Sequence, residues 1–289
     1  MMSEKCYRKE FIGCFGMPVD ENPTVVVMDA AFRAMGLDYL YNASLVRPED
    51  LGAAVAAVRA LGWKGANTTV PHKIEVMKYL DRIEPDAALI GAVNTLYWDN
   101  GQLVGANTDG TGFVVSLREA GMEPAGKRFA ILGAGGAAKA VSVELALAGA
   151  KKITVVNRTA AKAEALAALI RGRTAAQAEA RAWDGPFAVP ADADFLINCT
   201  NIGLLPDPNT PDVDWSTVRP ELIVCDVIPN PPHTRFLAAA EARGCRTFDG
   251  LSMLVNQAAT NIRLFTGKTP PTDVMKAALA AEFAGAAKE

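Results

Sequence analysis

The sequence predicts an α/β fold divided into two domains. Short apolar runs alternate with helical segments along most of the chain, which is typical of a mostly parallel sheet covered by helices. The motif FAILGAGGAA at residues 129–138 places glycines between an apolar run and a helical segment, and it indicates a second α/β unit. A length of 289 residues, of which 50% are hydrophobic, fits two domains of ordinary size.

The first part of the chain alternates strands and helices. Gly36 stands where a helix C-cap is expected, and Pro48 stands near the first turn of the next helix. Asn100 and Gly101 lie between two apolar runs, which is a strong hairpin signal. The expected elements are strands at residues 10–15, 39–45 and 65–70, helices at 25–35, 47–61 and 74–80, a strand pair around 99–101 and a helix at 111–120.

The second part continues the alternation. Its Ala-rich stretch at residues 172–190 carries little signal beyond one weak strand. The expected strands are residues 129–132, 152–156, 195–199 and 222–227, and the expected helices are 137–147, 160–171, 236–243, 254–265 and 273–283.

The glycine motif has the order G-x-G-x-x-A. Gly133 permits a tight turn, Gly135 lets a pyrophosphate approach the backbone, and the small Ala138 lets the helix pack closely on the strand. Because a strand precedes the loop and a helix N-terminus follows it, the motif predicts dinucleotide binding by a Rossmann-type domain; a plain glycine turn is the alternative. The residues expected at the cofactor are Gly133, Ala134, Gly135, Gly136 and Ala137.

The strand after the glycine motif ends in Asn157, Arg158 and Thr159, with Lys162 one helical turn further on. A carboxylate at this point would hold a ribose hydroxyl and favour NAD, whereas a cation accommodates the additional phosphate of NADP. No carboxylate stands here, and Arg158 can make paired hydrogen bonds to a phosphate. The pattern favours NADP, and the alternative is a solvated helix start.

A second chemical signal is the sequence NTTVPHK at residues 67–73. It combines a polar pair at a strand end, a rigid proline and a lysine that opens a helix. Lys73 can exchange a proton with a substrate hydroxyl, and Asp109 is the candidate carboxylate to orient it. The alternative is that the two are unconnected surface charges.

Several motifs occur in a fixed order: NTTVPHK, AVNT at residues 92–95, NTDG at 107–110, GAGGAA at 133–138, NRT at 157–159, DV at 226–227 and DGLSMLVNQ at 249–257. With these motifs the chain resembles the shikimate/quinate dehydrogenase family over essentially its whole length. The resemblance implies a substrate-binding domain at residues 1–110, completed by C-terminal helices at 254–289, and an NADP-binding Rossmann domain at 111–253.

The resemblance also implies roles for single residues. Lys73 and Asp109 would be the catalytic pair. The residues that would hold ring hydroxyls are Asn67, Thr69, Asn94 and Gln257. The further residues on the cofactor side are Thr200, Val227, Gly250 and Met253, of which Thr200 is equally an ordinary loop residue and Met253 as often part of a core.

Two places depart from the family pattern. The family has a Ser-x-Ser pair after the first strand that binds the substrate carboxylate, and an ungapped reading puts Asn22 and Thr24 there. Pro229 stands where the family usually has a tyrosine near the same group, and it offers no donor. Loss of one buried donor weakens binding by about 1–3 kcal/mol. We therefore expect the reaction type to be kept, while the substrate stays open.

The expected function is a reversible NADP-dependent oxidation of a ring alcohol to a ketone, of the shikimate/3-dehydroshikimate type. The expected partner is a cyclic polyol carboxylate or an analogue, and the expected assembly is a monomer or homodimer. Quinate or an amino-substituted ring acid is the alternative substrate. A non-catalytic ligand sensor is the alternative from another class.

Composition and charge argue against several other classes of protein. A formal net charge of -3 argues against nucleic-acid binding. No run approaches the roughly 20 apolar residues of a membrane span, and the first residues lack the apolar core of a signal peptide. Five scattered cysteines favour free thiols in a cytoplasmic protein, and two histidines in unrelated contexts predict no metal site.

Overall fold

The computed structural model describes residues 7–207 and 209–286. The chain divides into two compact units. Unit 1 comprises the described residues up to Thr108 and from Ala258 onward, and unit 2 comprises Asp109–Gln257.

The strands and helices follow one another along the chain as the alternation predicts. In chain order they are β1 (Glu10–Gly16), α1 (Thr24–Ala34), β2 (Tyr39–Leu45), α2 (Leu51–Ala60), β3 (Gly65–Thr68), β4 (Arg82–Ile83), α3 (Pro85–Ile90), β5 (Thr95–Asp99), β6 (Gln102–Ala106), α4 (Thr108–Glu119), β7 (Arg128–Leu132), α5 (Gly136–Leu147), β8 (Lys152–Asn157), α6 (Ala160–Arg173), β9 (Gln177–Ala182), β10 (Phe195–Asn198), β11 (Ile223–Asp226), α7 (Arg235–Glu241), β12 (Arg246–Phe248), α8 (Gly250–Thr266) and α9 (Thr272–Ala286).

Unit 1 contains a mixed sheet in the order β2-β1-β3-β5-β6-β4. β1 pairs in parallel with β2 and β3, whereas β5 runs antiparallel to β3 and β6. The predicted hairpin at Asn100 and Gly101 is confirmed, with φ of 49° and 80°, and it reverses the chain between β5 and β6. The carboxyl ends of β1, β2 and β3 therefore lie at one edge of the sheet.

The segment after β3 differs from its expected form. Instead of an α-helix at residues 74–80 it forms a 3₁₀ helix, Glu75–Tyr79, and Leu80 is already extended. The chain must join β4 two residues later, so there is no room for a regular helix. A second 3₁₀ helix, Pro48–Asp50, precedes α2, where one continuous helix was expected.

Unit 2 contains a fully parallel sheet in the order β12-β11-β10-β7-β8-β9. The weak strand expected after residue 172 is β9. Alternate residues of β7 enter two cores: Phe129 and Ile131 pack on one face, Ala130 and Leu132 on the other. The continuous apolar run of this strand follows from burial on both sides.

The direction of the connections in unit 2 reverses at β7, because β8 lies on one side of it and β10 on the other. Such a reversal opens a crevice at the carboxyl ends of the strands, where open α/β sheets bind ligands. No helix of the described chain combines the length and the apolar character needed to cross a membrane.

Candidate functional site

The glycine loop of unit 2 joins β7 to α5 at this reversal. Gly133 has φ of 110°, its N–H donates to the Val156 carbonyl at 2.7 Å, and a Cβ there would lie 3.0 Å from the Cys199 oxygen. A Cβ on Gly135 or Gly136 would meet no heavy atom within 4 Å, so open space lies before the first turn of α5. The first N–H groups of a helix have no partner within the helix, so a turn of this kind can receive a pyrophosphate.

The end of β8 forms the second part of this site. The Asn157 amide donates to the Thr159 carbonyl at 3.0 Å and shapes the turn into α6. Arg158 and Lys162 are exposed, and Arg158 lines a cleft of about 460 Å³. In this cleft Arg158 offers paired hydrogen bonds to a phosphate, although two carboxylates also line the cleft. Its other lining residues are Trp183, Gly185, Asn201, Ile202, Asp207, Asn209, Thr210 and Asp212.

A buried network connects the ends of β10 and β11. The Thr200 hydroxyl donates to Asn198 Oδ1 at 2.7 Å, and Asn198 Nδ2 donates to Asp226 Oδ1 at 3.1 Å. Asp226 also accepts from the Ile228 N–H at 3.1 Å and the Thr234 hydroxyl at 2.8 Å. Burial raises the pKa of Asp226 to about 6, although these hydrogen bonds oppose the rise. Thr200 is therefore held by Asn198, which is itself held by the Asp226 carboxyl group on the neighbouring strand.

The start of α8 packs against the chain after β11. A Cβ on Gly250 would lie 2.5 Å from the Ile228 carbonyl and 2.6 Å from the Val227 oxygen, so only glycine fits there. Met253 is half-buried against the core that contains Phe113. The backbone N of Gln257 would lie 2.7 Å from a Cβ on Gly112, so α8 and α4 pack closely in unit 2.

In unit 1 the predicted Asn67 is the centre of a buried network. Its Nδ2 donates to the Asn94 carbonyl at 3.0 Å and to Thr95 Oγ1 at 3.1 Å. Its Oδ1 accepts from the Tyr41 hydroxyl at 3.0 Å. Both N–H groups of Asn67 are thus used inside the protein, and among the described residues its oxygen accepts one hydrogen bond, which leaves one lone pair.

The motifs AVNT and NTDG meet in the same network. Asn94 Oδ1 accepts from the Thr108 N–H at 2.9 Å. Asn261 Oδ1 accepts from the hydroxyls of Thr95 at 2.7 Å and Thr108 at 2.8 Å. Sequence reasoning missed Asn261, because the partner of Thr95 lies 166 residues away. The only hint in the sequence is that the pair Asn-Thr occurs at residues 94–95 and again at 107–108.

Lys73 lies at the edge formed by the carboxyl ends of β1 and β3. The side chain of His72, next to it, is buried with Nε2 2.8 Å from the Val46 oxygen, so this histidine anchors the turn. The Lys73 carbonyl accepts from the Val93 N–H at 2.7 Å. Burial raises the pKa of the nearby Cys14 thiol, and the charge of Lys73 opposes the rise. Asp109 is in the first turn of α4, in unit 2.

Asn22 and Thr24, which stand where the family has its Ser-x-Ser pair, lie at the same edge of unit 1. Thr24 is the first residue of α1 and is buried, and its N–H donates to Asn22 Oδ1 at 3.0 Å. The Asn22 Nδ2 donates to Cys14 Sγ at 3.3 Å. Thr69 is held nearby, because its N–H donates to the Phe15 carbonyl at 2.9 Å.

Metal binding and disulfide formation have little support within residues 7–207 and 209–286. No group of three or more His, Cys, Asp or Glu side chains there could hold a metal ion. The cysteines in these ranges, Cys14, Cys199, Cys225 and Cys245, are free and buried.

Models of three protein families match the chain. Residues 14–96 match the shikimate dehydrogenase substrate binding domain. Residues 117–202 match shikimate / quinate 5-dehydrogenase, and residues 250–280 match the shikimate 5'-dehydrogenase C-terminal domain.

Whole proteins match as well. A protein of Moorella thermoacetica named shikimate dehydrogenase (NADP(+)) is 43% identical over 266 residues, covering 91% of this chain and 90% of that one. The structure of ligand-free 5-ketofructose reductase of Gluconobacter sp. strain CHM43 has a TM-score of 0.93 and 47% identity, over 96% of this chain and all of the other. Shikimate 5-dehydrogenase of Thermus thermophilus, in complex with NADP(H) and shikimate, has a TM-score of 0.82 and 33% identity, over 94% and 99%. Similarity of this extent, reaching through both units, shows that the chain belongs to the shikimate dehydrogenase family.

Proposed function

We propose that this protein is an NADP-dependent oxidoreductase that interconverts a ring alcohol and a ketone, of the shikimate dehydrogenase type. The observation that carries the proposal is the open glycine turn before α5, followed by Arg158 at the end of the next strand. The 43% identity to a protein named NADP(+)-dependent shikimate dehydrogenase supports both the reaction and the cofactor.

The names of the relatives agree on the kind of reaction and differ in the substrate. One is a shikimate dehydrogenase and another a 5-ketofructose reductase. Shikimate carries a carboxylate, and 5-ketofructose is an uncharged polyhydroxy ketone. Reversible reduction of a carbonyl is therefore common to both.

The residues proposed to hold the cofactor fall into three groups. The turn from Gly133 through Ala134, Gly135 and Gly136 to Ala137 would receive the pyrophosphate, and the segment from Asn157 through Arg158 and Thr159 to Lys162 would receive the phosphate on the ribose. Thr200, Val227, Gly250 and Met253 would border the nicotinamide. Bound NADP accepts a hydride in the oxidation, and bound NADPH supplies one in the reduction.

The proposed proton path uses Lys73 and Asp109. In the oxidation the substrate carbon loses a hydride and its hydroxyl loses a proton, which the Lys73 amine accepts. In the reduction the Lys73 ammonium returns that proton to the carbonyl oxygen, and its charge stabilises the developing oxyanion. Asp109 would orient the amine.

The remaining proposed contacts hold the substrate hydroxyls through Asn67, Thr69, Asn94 and Gln257, with Asn22 and Thr24 at the far end of the ring. The free lone pair of Asn67 suits a hydroxyl donor. A small-molecule substrate, a monomer or homodimer, and a cytoplasmic location complete the proposal.

The test is an initial-rate assay of the full-length chain with shikimate and either NADP or NAD. We expect formation of reduced cofactor, a preference for NADP, and loss of turnover in Lys73→Ala. A protein that binds NADP tightly but turns over no ring alcohol would instead be the non-catalytic sensor.

A further inference from the structure

The loop at residues 17–24 borders the edge at which unit 1 would bind its ligand. β1, β2 and β3 are parallel, and open α/β sheets bind ligands beyond the carboxyl ends of such strands. The Met17 N–H donates to the Val70 carbonyl at 2.9 Å, and the Val46 N–H donates to the Gly16 carbonyl at 3.1 Å. The loop is thus tied to the turn that presents Thr69 and Lys73.

The orientation of the Asn22 amide in this loop follows from its partners. The Thr24 N–H can only donate, so the atom 3.0 Å from it is the amide oxygen. The amide nitrogen therefore faces Cys14 Sγ at 3.3 Å, and burial keeps that thiol neutral by raising its pKa. Within the part of the chain that the structure describes, the amide makes these two bonds, which leaves one N–H and one oxygen lone pair for a ligand.

The charge of the loop argues in the same direction. Its sequence, MPVDENPT, contains the exposed carboxylates Asp20 and Glu21 and no lysine or arginine. A carboxylate ligand only accepts hydrogen bonds, so it has no donor for the Asn22 oxygen, and the loop supplies no cation to balance its charge. A hydroxyl both donates and accepts, and it matches what Asn22 offers.

The Thr24 hydroxyl is also available to a ligand hydroxyl. Its side chain is buried, and among the described residues its hydroxyl makes no hydrogen bond to protein. One hydroxyl that rotates freely can serve either as donor or as acceptor. Asn22 and Thr24 together therefore form a mixed donor and acceptor pair.

We propose, resting on the function proposed above, that Asn22 and Thr24 bind a hydroxyl-bearing, uncharged end of the substrate, so that the substrates are neutral polyhydroxy ketones and their alcohols. In the reduction the carbonyl carbon gains a hydride from NADPH and the oxygen gains a proton, leaving NADP and the alcohol. A ring carboxylate is the poorer substrate.

The test compares matched substrates that differ in charge at one group. Shikimate and its methyl ester are assayed with NADP, and 5-ketofructose with NADPH, on the full-length chain. We expect kcat/KM at least about tenfold higher for the ester than for shikimate, and ready reduction of 5-ketofructose. Equal or better turnover of shikimate would overturn this inference and leave the proposed function standing. Turnover of none of the three would overturn the proposed function itself.

A variant provides a second readout. Asn22→Ser with Thr24→Ser restores two small hydroxyls, and we expect the ratio of kcat/KM for shikimate to that for the ester to rise about tenfold. Asn42→Ser is the matched control, because Asn42 is exposed on β2 and its side-chain amide donates to the Ser44 hydroxyl at 2.8 Å. An unchanged ratio in a folded double variant contradicts the inference. If that variant does not fold, the comparison of shikimate with its methyl ester on the wild type tests the inference alone.

Discussion

Replacing Asp226 by asparagine tests the energetic cost of the buried carboxyl group between β10 and β11. Asp226 is 1% exposed, and burial raises its pKa from an ordinary 3.8 to about 6. Between these pH values the folded state keeps a proton that the unfolded state has released. The free energy of unfolding of the wild type therefore falls as the pH rises from about 4 to about 6.

The size of this fall follows from the two pKa values. The difference between 3.8 and about 6, at about 1.4 kcal/mol for each pH unit, amounts to about 3 kcal/mol. The amide that replaces the carboxyl group does not titrate, so the free energy of unfolding of Asp226→Asn relative to wild type should rise by about 3 kcal/mol over this range. Any constant loss from the altered bonds to Asn198 and Thr234 does not affect this slope.

The measurement is urea unfolding of both proteins at a series of pH values from about 4 to about 7, followed by circular dichroism. The exposed Asp184→Asn serves as the control and should track the wild type. A difference between wild type and Asp226→Asn that stays constant within about 1 kcal/mol across the series would refute the argument from burial.

Three further substitutions test the site. Lys73→Ala should lower kcat by about 10²- to 10⁴-fold with an unchanged thermal midpoint, and near-normal turnover would remove the proposed proton path. Arg158→Ala should raise KM for NADP by about tenfold or more and leave KM for NAD unaltered; parallel changes in both would contradict a phosphate contact. Gly250→Ala should destabilise the fold by about 1–3 kcal/mol in urea unfolding, because its methyl group would lie 2.5 Å from the Ile228 carbonyl. Gly172→Ala in α6 is its control, since a Cβ there meets nothing within 4 Å, and equal stability of the two variants would speak against the steric reason.

Features with a local cause could be predicted from the sequence. The strand before Gly133, the helix after it and the hairpin at Asn100 each depend on a few adjacent residues, and the structure contains all three. The two short strands β4 and β12 and the short helix α3 were not expected. β4 is two residues long and exists because Arg82 and Ile83 pair with β6, which no local pattern reports.

The candidate site also has features that the sequence predicts and features that it does not. The residue types at Lys73, Asn67 and Arg158 indicate their chemistry, whereas the partners that orient side chains come from distant strands. The bond from Asn22 to Cys14 illustrates this, because both residues are visible in the sequence but their contact depends on the turn between β1 and α1. The roles of Pro229 and of the Lys73–Asp109 pair stay predictions.

The buried cysteines have a practical consequence for labelling. Burial raises the pKa of all four described thiols, Cys14, Cys199, Cys225 and Cys245, so little thiolate is present at neutral pH. Alkylating reagents attack the thiolate, and these positions should react slowly in the folded protein. Once Cys6 is replaced, a single cysteine placed on the surface of either unit would accept a fluorophore selectively and report on that unit alone.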